Sequence, residues 1–141
     1  MTLLPIAFEI SDEKLSELRK IYSKEGKNSD IGNIAVEIAK LYFLDKYSNA
    51  EFSETGKGID LTVNIGKEIK YYEIKGTEDK TVAFYKLKVS GKPCYDHLVN
   101  GKTEIMRITN IGNKKMKIYF LKHGKHFTLE PEDRWKFVEI K

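Results

Sequence analysis

Ile59-Asp60-Leu61-Thr62-Val63-Asn64-Ile65-Gly66-Lys67-Glu68-Ile69-Lys70-Tyr71-Tyr72-Glu73-Ile74-Lys75-Gly76-Thr77 is the stretch from which the fold follows. Its first seven residues alternate apolar and polar, the pattern of a half-buried strand. Gly66-Lys67 breaks the alternation, and Glu68 to Lys75 predicts a second strand. A two-residue turn with Gly in its first central position suits a type II′ hairpin, because Gly accepts the positive φ that turn requires. Such a turn sets Ile65 opposite Glu68. Carried along the hairpin, the same register places Thr62 opposite Tyr71 and Asp60 opposite Glu73. Leu61 and Tyr72, with Ile59 and Ile74, then form the apolar face. Lys75 lies two residues beyond Glu73 and shares its face.

Two carboxylates opposed in a hairpin sit roughly 4.5–5.5 Å apart at Cβ and repel. A divalent cation gives a reason to build the pair, since Mg²⁺ is held by one or two carboxylates with waters and substrate phosphates. An ammonium beside it can stabilise charge developing at phosphorus or orient the attacking water. The competing reading is a surface hairpin in which Glu73 merely pairs with Lys75.

Asp60 followed by Glu73-Ile74-Lys75 resembles the PD-(D/E)xK, or restriction-endonuclease-like, nuclease superfamily, in which an acidic residue opens one strand and E-x-K lies on the next. Gly58 to Leu61 and Glu73 to Thr77 are also similar to its branch named for the C-terminal region of protein NO VEIN. Archaeal Holliday-junction resolvases of the superfamily add a Glu on the helix before the first strand, and Gly32 to Lys40 offers Glu37 in that place. The resemblance covers about residues 30 to 100, with Ile59 where the superfamily's name has Pro. It implies an α/β fold with a restriction-endonuclease-like core, a mixed sheet flanked by helices. It implies Mg²⁺, with Mn²⁺ as substitute, held by Asp60, Glu73 and the Ile74 carbonyl, and DNA hydrolysis with Lys75 and Glu37 as further catalytic residues. RNA is left open as a substrate. A homodimer is an expected arrangement, since cutting two strands needs two sites.

Glu37 has a second reading of its own. Ile31, Ile34, Ala35, Ile38, Leu41 and Tyr42 form a helical apolar stripe, with Ser29 or Asp30 as expected N-cap. Glu37 lies on its flank, where it either reaches the site or pairs with Lys40 one turn away.

Charge is uneven. Lys80 to Lys125 holds eleven basic residues against Asp96 and Glu104, whereas the rest of the chain holds 14 basic against 19 acidic. Clustered cations mark phosphate-backbone binding, and Lys80, Lys86, Lys88, Lys114, Lys115 and Lys117 are the expected nucleic-acid contacts. The alternative is lysines guarding an exposed strand edge.

The 141 residues predict one domain: a helical extension (1–29), a core (30–100) and extra C-terminal strands (101–141). A helix is expected after Ser11, with Leu15, Leu18, Ile21 and Tyr22 buried. Strands are expected near Glu51–Ser53, Val82–Val89, Glu104–Thr109, Met116–Lys122 and Trp135–Ile140, with a helix from about Ser90. No apolar run is long enough to span a membrane, and the start lacks the basic residues of a signal peptide. The lone Cys94 reads as an inert thiol and, with no second cysteine, suggests the cytoplasm. His123-Gly124-Lys125-His126 reads as a turn rather than a metal motif. Two rivals to a nuclease are a nuclease-fold module that binds nucleic acid without cutting, and an interaction subunit of a larger assembly.

Overall fold

A computed structural model describes residues 3–53, 58–131 and 135–141. The protein is α/β. Nine strands and three helices are seen among these residues, in the order β1 (Ile6–Glu9), α1 (Asp12–Ile21), α2 (Lys27–Lys46), β2 (Glu51–Ser53), β3 (Leu61–Ile65), β4 (Glu68–Gly76), β5 (Lys88–Val89), α3 (Lys92–Val99), β6 (Thr103–Thr109), β7 (Lys115–Leu121), β8 (Phe127–Pro131) and β9 (Trp135–Glu139). The large sheet is mixed, in the order β1-β7-β6-β4-β3-β2, and a small one runs β5-β9-β8.

The hairpin holds the expected register: Ile65 faces Glu68, Thr62 faces Tyr71 and Leu61 faces Tyr72. Gly66 takes the positive φ of its turn, +60°. β4 then pairs in parallel with β6, Glu73 beside Ile105 and Lys75 beside Arg107. A parallel pair needs a crossover, which here contains β5 and α3. The strands after residue 101 are therefore no appendage, because β6 sits in the middle of the sheet.

Alternation assigns each face of the sheet to a different cover. Leu61, Val63, Tyr72, Ile74, Met106, Ile108, Met116 and Ile118 pack beneath α1 and α2. Ala35 and Ala39, both fully buried, let α2 lie close to the sheet. An aromatic cluster of Phe8, Tyr42, Phe43, Tyr72 and Phe120 fills the rest, with ring centroids 5.2–6.4 Å apart in edge-on and tilted contacts. The opposite face carries Ile105 and Leu121 under Cys94 and Leu98 of α3 and under Phe127 and Phe137 of the small sheet. α1 and α2 thus cover one side and α3 the other, with α2 and α3 on opposite faces as expected.

Four local expectations need correction. Val82–Val89 is not one strand: Ala83 is left-handed (φ +53°), Phe84–Lys86 is a 3₁₀ turn, and only Lys88–Val89 pairs, with β9. The Val82 carbonyl is engaged by Arg107 instead of a ladder, although Val82, Leu87 and Val89 are still buried. α2 begins at Lys27 with Gly26 as N-cap. Asp30 lies inside its first turn and accepts a hydrogen bond from the Glu25 amide, 3.2 Å. Ile21, the last residue of α1, is exposed rather than buried. β1 and β8 are additional to the expected strands: β1 is four residues at a sheet edge, and β8 follows directly on the His123–His126 turn.

Candidate active site

The ladder between β3 and β4 ends at Leu61–Tyr72, one residue short of Asp60. The Asp60 amide donates to the Tyr72 carbonyl at 3.0 Å. Its carboxylate accepts from the Ile74 amide at 2.9 Å, standing in for a backbone acceptor. An Ile74 N–H aimed at Asp60 implies that the Ile74 carbonyl projects from the same strand edge.

Glu73 follows Tyr72 and so points to the α3 face, where it is only 7 % exposed. Its carboxylate accepts from the Cys94 thiol at 3.1 Å and lies 3.6 Å from the Lys75 ammonium. Burial, and next the neighbouring Asp60, push the Glu73 carboxyl up to about 7; Lys75 and Cys94 oppose the shift. Burial and the Glu73 charge push the Cys94 thiol up to about 12, so it stays protonated and donating. Cys94 is buried, and its thiol holds one of the acids. Nothing in the sequence announces this contact across 21 residues.

Gly58 closes the site on its loop side. With φ +77°, a Cβ there would stand 2.8 Å from the Cys94 amide nitrogen and the Pro93 carbonyl carbon. The chain entering Asp60 therefore runs against the first turn of α3.

Glu37 is not brought to this group. Its α2 packs on the other side of the sheet, where its carboxylate meets Tyr22 at 3.4 Å and Lys40 at 3.6 Å. Among the described residues there is no cluster of three or more His, Cys, Asp or Glu arranged to hold a metal. The acidic donors here are therefore two carboxylates, with the Ile74 carbonyl beside them. That set fits a hydrated Mg²⁺, which needs no more than one or two carboxylates from the protein.

Lys75 also faces a cavity of about 760 Å³ beyond the C-terminal ends of β4 and β6, to which Lys86, Lys88 and Arg107 contribute. Arg107 is 3 % exposed; its Nε donates to the Val82 carbonyl at 2.8 Å and its Nη1 to the Gly76 carbonyl at 3.2 Å. Burial pulls its guanidinium down to about 10, against the favourable field of Asp79. Sequence reading missed Arg107 as a site residue. An arginine in the otherwise apolar Ile105-Met106-Arg107-Ile108 was the available signal, since buried charge is costly.

The other expected cations are dispersed. Lys115 and Lys117 are exposed on the sheet face that carries Glu73, Lys114 pairs with Asp12 at 3.4 Å, and Lys80 is exposed in the loop after β4. The edge-guarding reading does not apply to β7, which β1 covers. The His123–His126 segment is a turn in which His126 Nδ1 accepts from the Lys122 amide. Comparison of the chain with protein-family models, curated proteins and solved structures finds no match.

Proposed function

We propose that this protein is a metal-dependent endonuclease of restriction-endonuclease-like fold, cutting DNA phosphodiester bonds with Mg²⁺ or Mn²⁺. The observation that carries the reading is a buried Glu73 beside Asp60, with Lys75 at its edge. Desolvation and mutual repulsion raise the Glu73 carboxyl to about 7, a cost that a bound cation would offset. The mixed sheet with E-x-K on a central strand and a helix over each face supports the fold assignment.

Asp60, Glu73 and the Ile74 carbonyl would hold the cation. When bound, it supplies Lewis-acid stabilisation of negative charge on the phosphoryl oxygens. Cys94 fixes the rotamer of Glu73, and the Ile74 amide fixes that of Asp60. Lys75, beside Glu73, stabilises charge in the transition state or orients the attacking water. Lys86, Lys88, Lys115 and Lys117 offer the phosphate backbone a positive approach.

The test is cleavage of linear duplex, single-stranded, nicked and four-way-junction DNA with Mg²⁺ or Mn²⁺, using Asp60→Asn as control. Metal-dependent cutting that Asp60→Asn abolishes is expected; undiminished cutting by that variant would remove the assignment. A second reading, a binding module that does not cut, is favoured by the lack of a third acidic side chain among the described residues. Calorimetric titration with Mg²⁺ separates the two, because a non-cutting module would show no heat attributable to Asp60 and Glu73. Sedimentation with and without DNA tests the homodimer that double-strand cutting would require.

A further inference from the structure

The cavity beyond β4 and β6 brings one buried guanidinium together with the start of a helix. Three of its lysines are answered by acids: Lys27 by Glu78 at 3.0 Å, Lys86 by Asp79 at 2.8 Å and Lys75 by Glu73 at 3.6 Å. Arg107 lines the same cavity and is different. Its Nε and Nη1 donate to the neutral carbonyls of Val82 and Gly76, and its Nη2 is buried with no hydrogen-bond partner among the described residues. Asp79 lends it a favourable field but is paired with Lys86. Two carbonyls thus fix the guanidinium and leave one nitrogen for a further acceptor. A buried charged donor left unsatisfied is costly, and an anionic oxygen makes the strongest bond to it.

The second feature is the start of α2. At Gly76, the end of β4, a Cβ would stand 2.7 Å from the Ala35 Cβ, so the missing side chain lets α2 lie against the strand end. Lys27 and Asn28 of its first turn line the cavity. Gly26 caps the helix without a side-chain hydrogen bond, and Asp30, the acid of the first turn, is engaged by the Glu25 amide. The first-turn amides therefore carry the positive end of a 20-residue helix to the same space. The location also matches the rule that open α/β sheets bind ligands outside the carboxyl ends of their strands.

We propose that Arg107 and the first turn of α2 hold one backbone phosphodiester of a bound DNA strand, the neighbour of the phosphate that faces Glu73 and Lys75. One guanidinium with one open nitrogen calls for a single negative charge, and a phosphodiester carries one. Arg107 stands beside Lys75 in the β4–β6 register. Neighbouring strands lie roughly 4.8 Å apart, so successive phosphates of one strand can occupy both places. The proposal rests on the nucleic-acid part of the endonuclease reading and not on the cutting: Arg107 positions the strand and needs no metal at Asp60 and Glu73.

The test measures DNA binding to the Asp60→Asn protein in EDTA by fluorescence anisotropy, with each backbone phosphate in turn replaced by an uncharged methylphosphonate. Neutralising one position is expected to weaken binding about tenfold, or roughly 1.4 kcal/mol, and by less than about twofold once Arg107→Gln is also present. Arg107 is buried, so a second variant guards against misfolding. Asn28 is exposed, and an acid in the first turn favours a helix. Asn28→Asp should therefore melt no lower than its parent and still lose the sensitivity to that phosphate. A sensitivity that persists in Asn28→Asp overturns the proposal, as does a strand in which no single phosphate stands out. Inorganic phosphate that binds and is lost in Asn28→Asp, with no strand phosphate mattering, assigns a free anion and also overturns it. DNA bound with the expected pattern but never cut by the wild-type protein removes the endonuclease reading and leaves this one. DNA cut without the pattern does the reverse.

Discussion

Glu73 shows how one buried carboxylate links stability to pH. Its proton is held in the folded chain up to about 7 but released near 4.3 when unfolded. The native state therefore binds more protons between those values, and stability falls as pH rises through them. With a shift of this size, metal-free protein should be less stable at pH 8 than at pH 4 on account of this group, by roughly 3 kcal/mol. Melting in EDTA across that range checks it, and Glu73→Gln should flatten this component and be more stable than wild type at pH 8. A slope unchanged in Glu73→Gln would place the titration elsewhere. Asp60 behaves differently because its carboxylate accepts from the Ile74 amide. Asp60→Asn keeps that bond and removes the repulsion, so it should raise metal-free stability at pH 8. Asp60→Ala strands the amide, at a cost of about 1–3 kcal/mol, and should melt below Asp60→Asn. Identical melting of the two would mean that the bond contributes nothing. For Lys75→Ala, retained DNA binding with single-turnover cleavage reduced about 10²-fold is expected; weakened binding at an unchanged rate would make Lys75 a docking group.

At the scale of elements, the site depends on how the loop before β3 meets α3. The segment entering β3 brings Asp60 and α3 brings Cys94, and their spacing is set where Gly58 comes against Pro93 and Cys94. Gly58→Ala adds a methyl that backbone atoms must move to admit, at a positive φ that already costs about 1 kcal/mol. Melting should drop by more than that backbone cost alone, and Mn²⁺ affinity should fall with it as Asp60 moves from Glu73. Unchanged Mn²⁺ affinity in a destabilised variant would show that the contact serves folding alone. The βαβ crossover has a further consequence for the E-x-K strand. β4 ends up flanked by β3 and β6, which buries Glu73 under α3 and gives its carboxyl the raised pKa that an edge strand would not.

For the molecule as a whole, the arrangement of positive charge matters more than its total. Lys115 and Lys117 stand on the Glu73 side of the sheet, whereas Lys114 is tied to Asp12. If the first two meet phosphates, replacing both with Ala should reduce the slope of log K against log salt by about two units for duplex DNA. Lys114→Ala should leave the slope alone. Affinity measured over a salt series decides, and an unaltered slope in the double variant removes these lysines from the interface. No helix among the described residues is long and apolar enough to cross a membrane.

Local pattern alone determined the hairpin, because a two-residue turn and a two-residue period leave one register that buries Leu61 and Tyr72. The expected pairing of Asp60 with Glu73 lies beyond that register: the ladder stops at Leu61–Tyr72, and the Asp60 carboxylate is held by the Ile74 amide. Apolar stripes at helical spacing likewise marked most of α1 and α2, and α3, β6, β7 and β9 lie close to their expected positions. Local pattern could not specify which strands become neighbours, since pairing β4 with β6 rests on contacts some thirty residues apart. It could not place Glu37, whose helix spacing is the same whichever face of the sheet the helix covers. Tertiary structure decided both, and with them the burial of Glu73, its hydrogen bond from Cys94 and the enclosure of Arg107. These are properties of a low-dielectric space made by distant segments, and no stretch of sequence carries that space by itself.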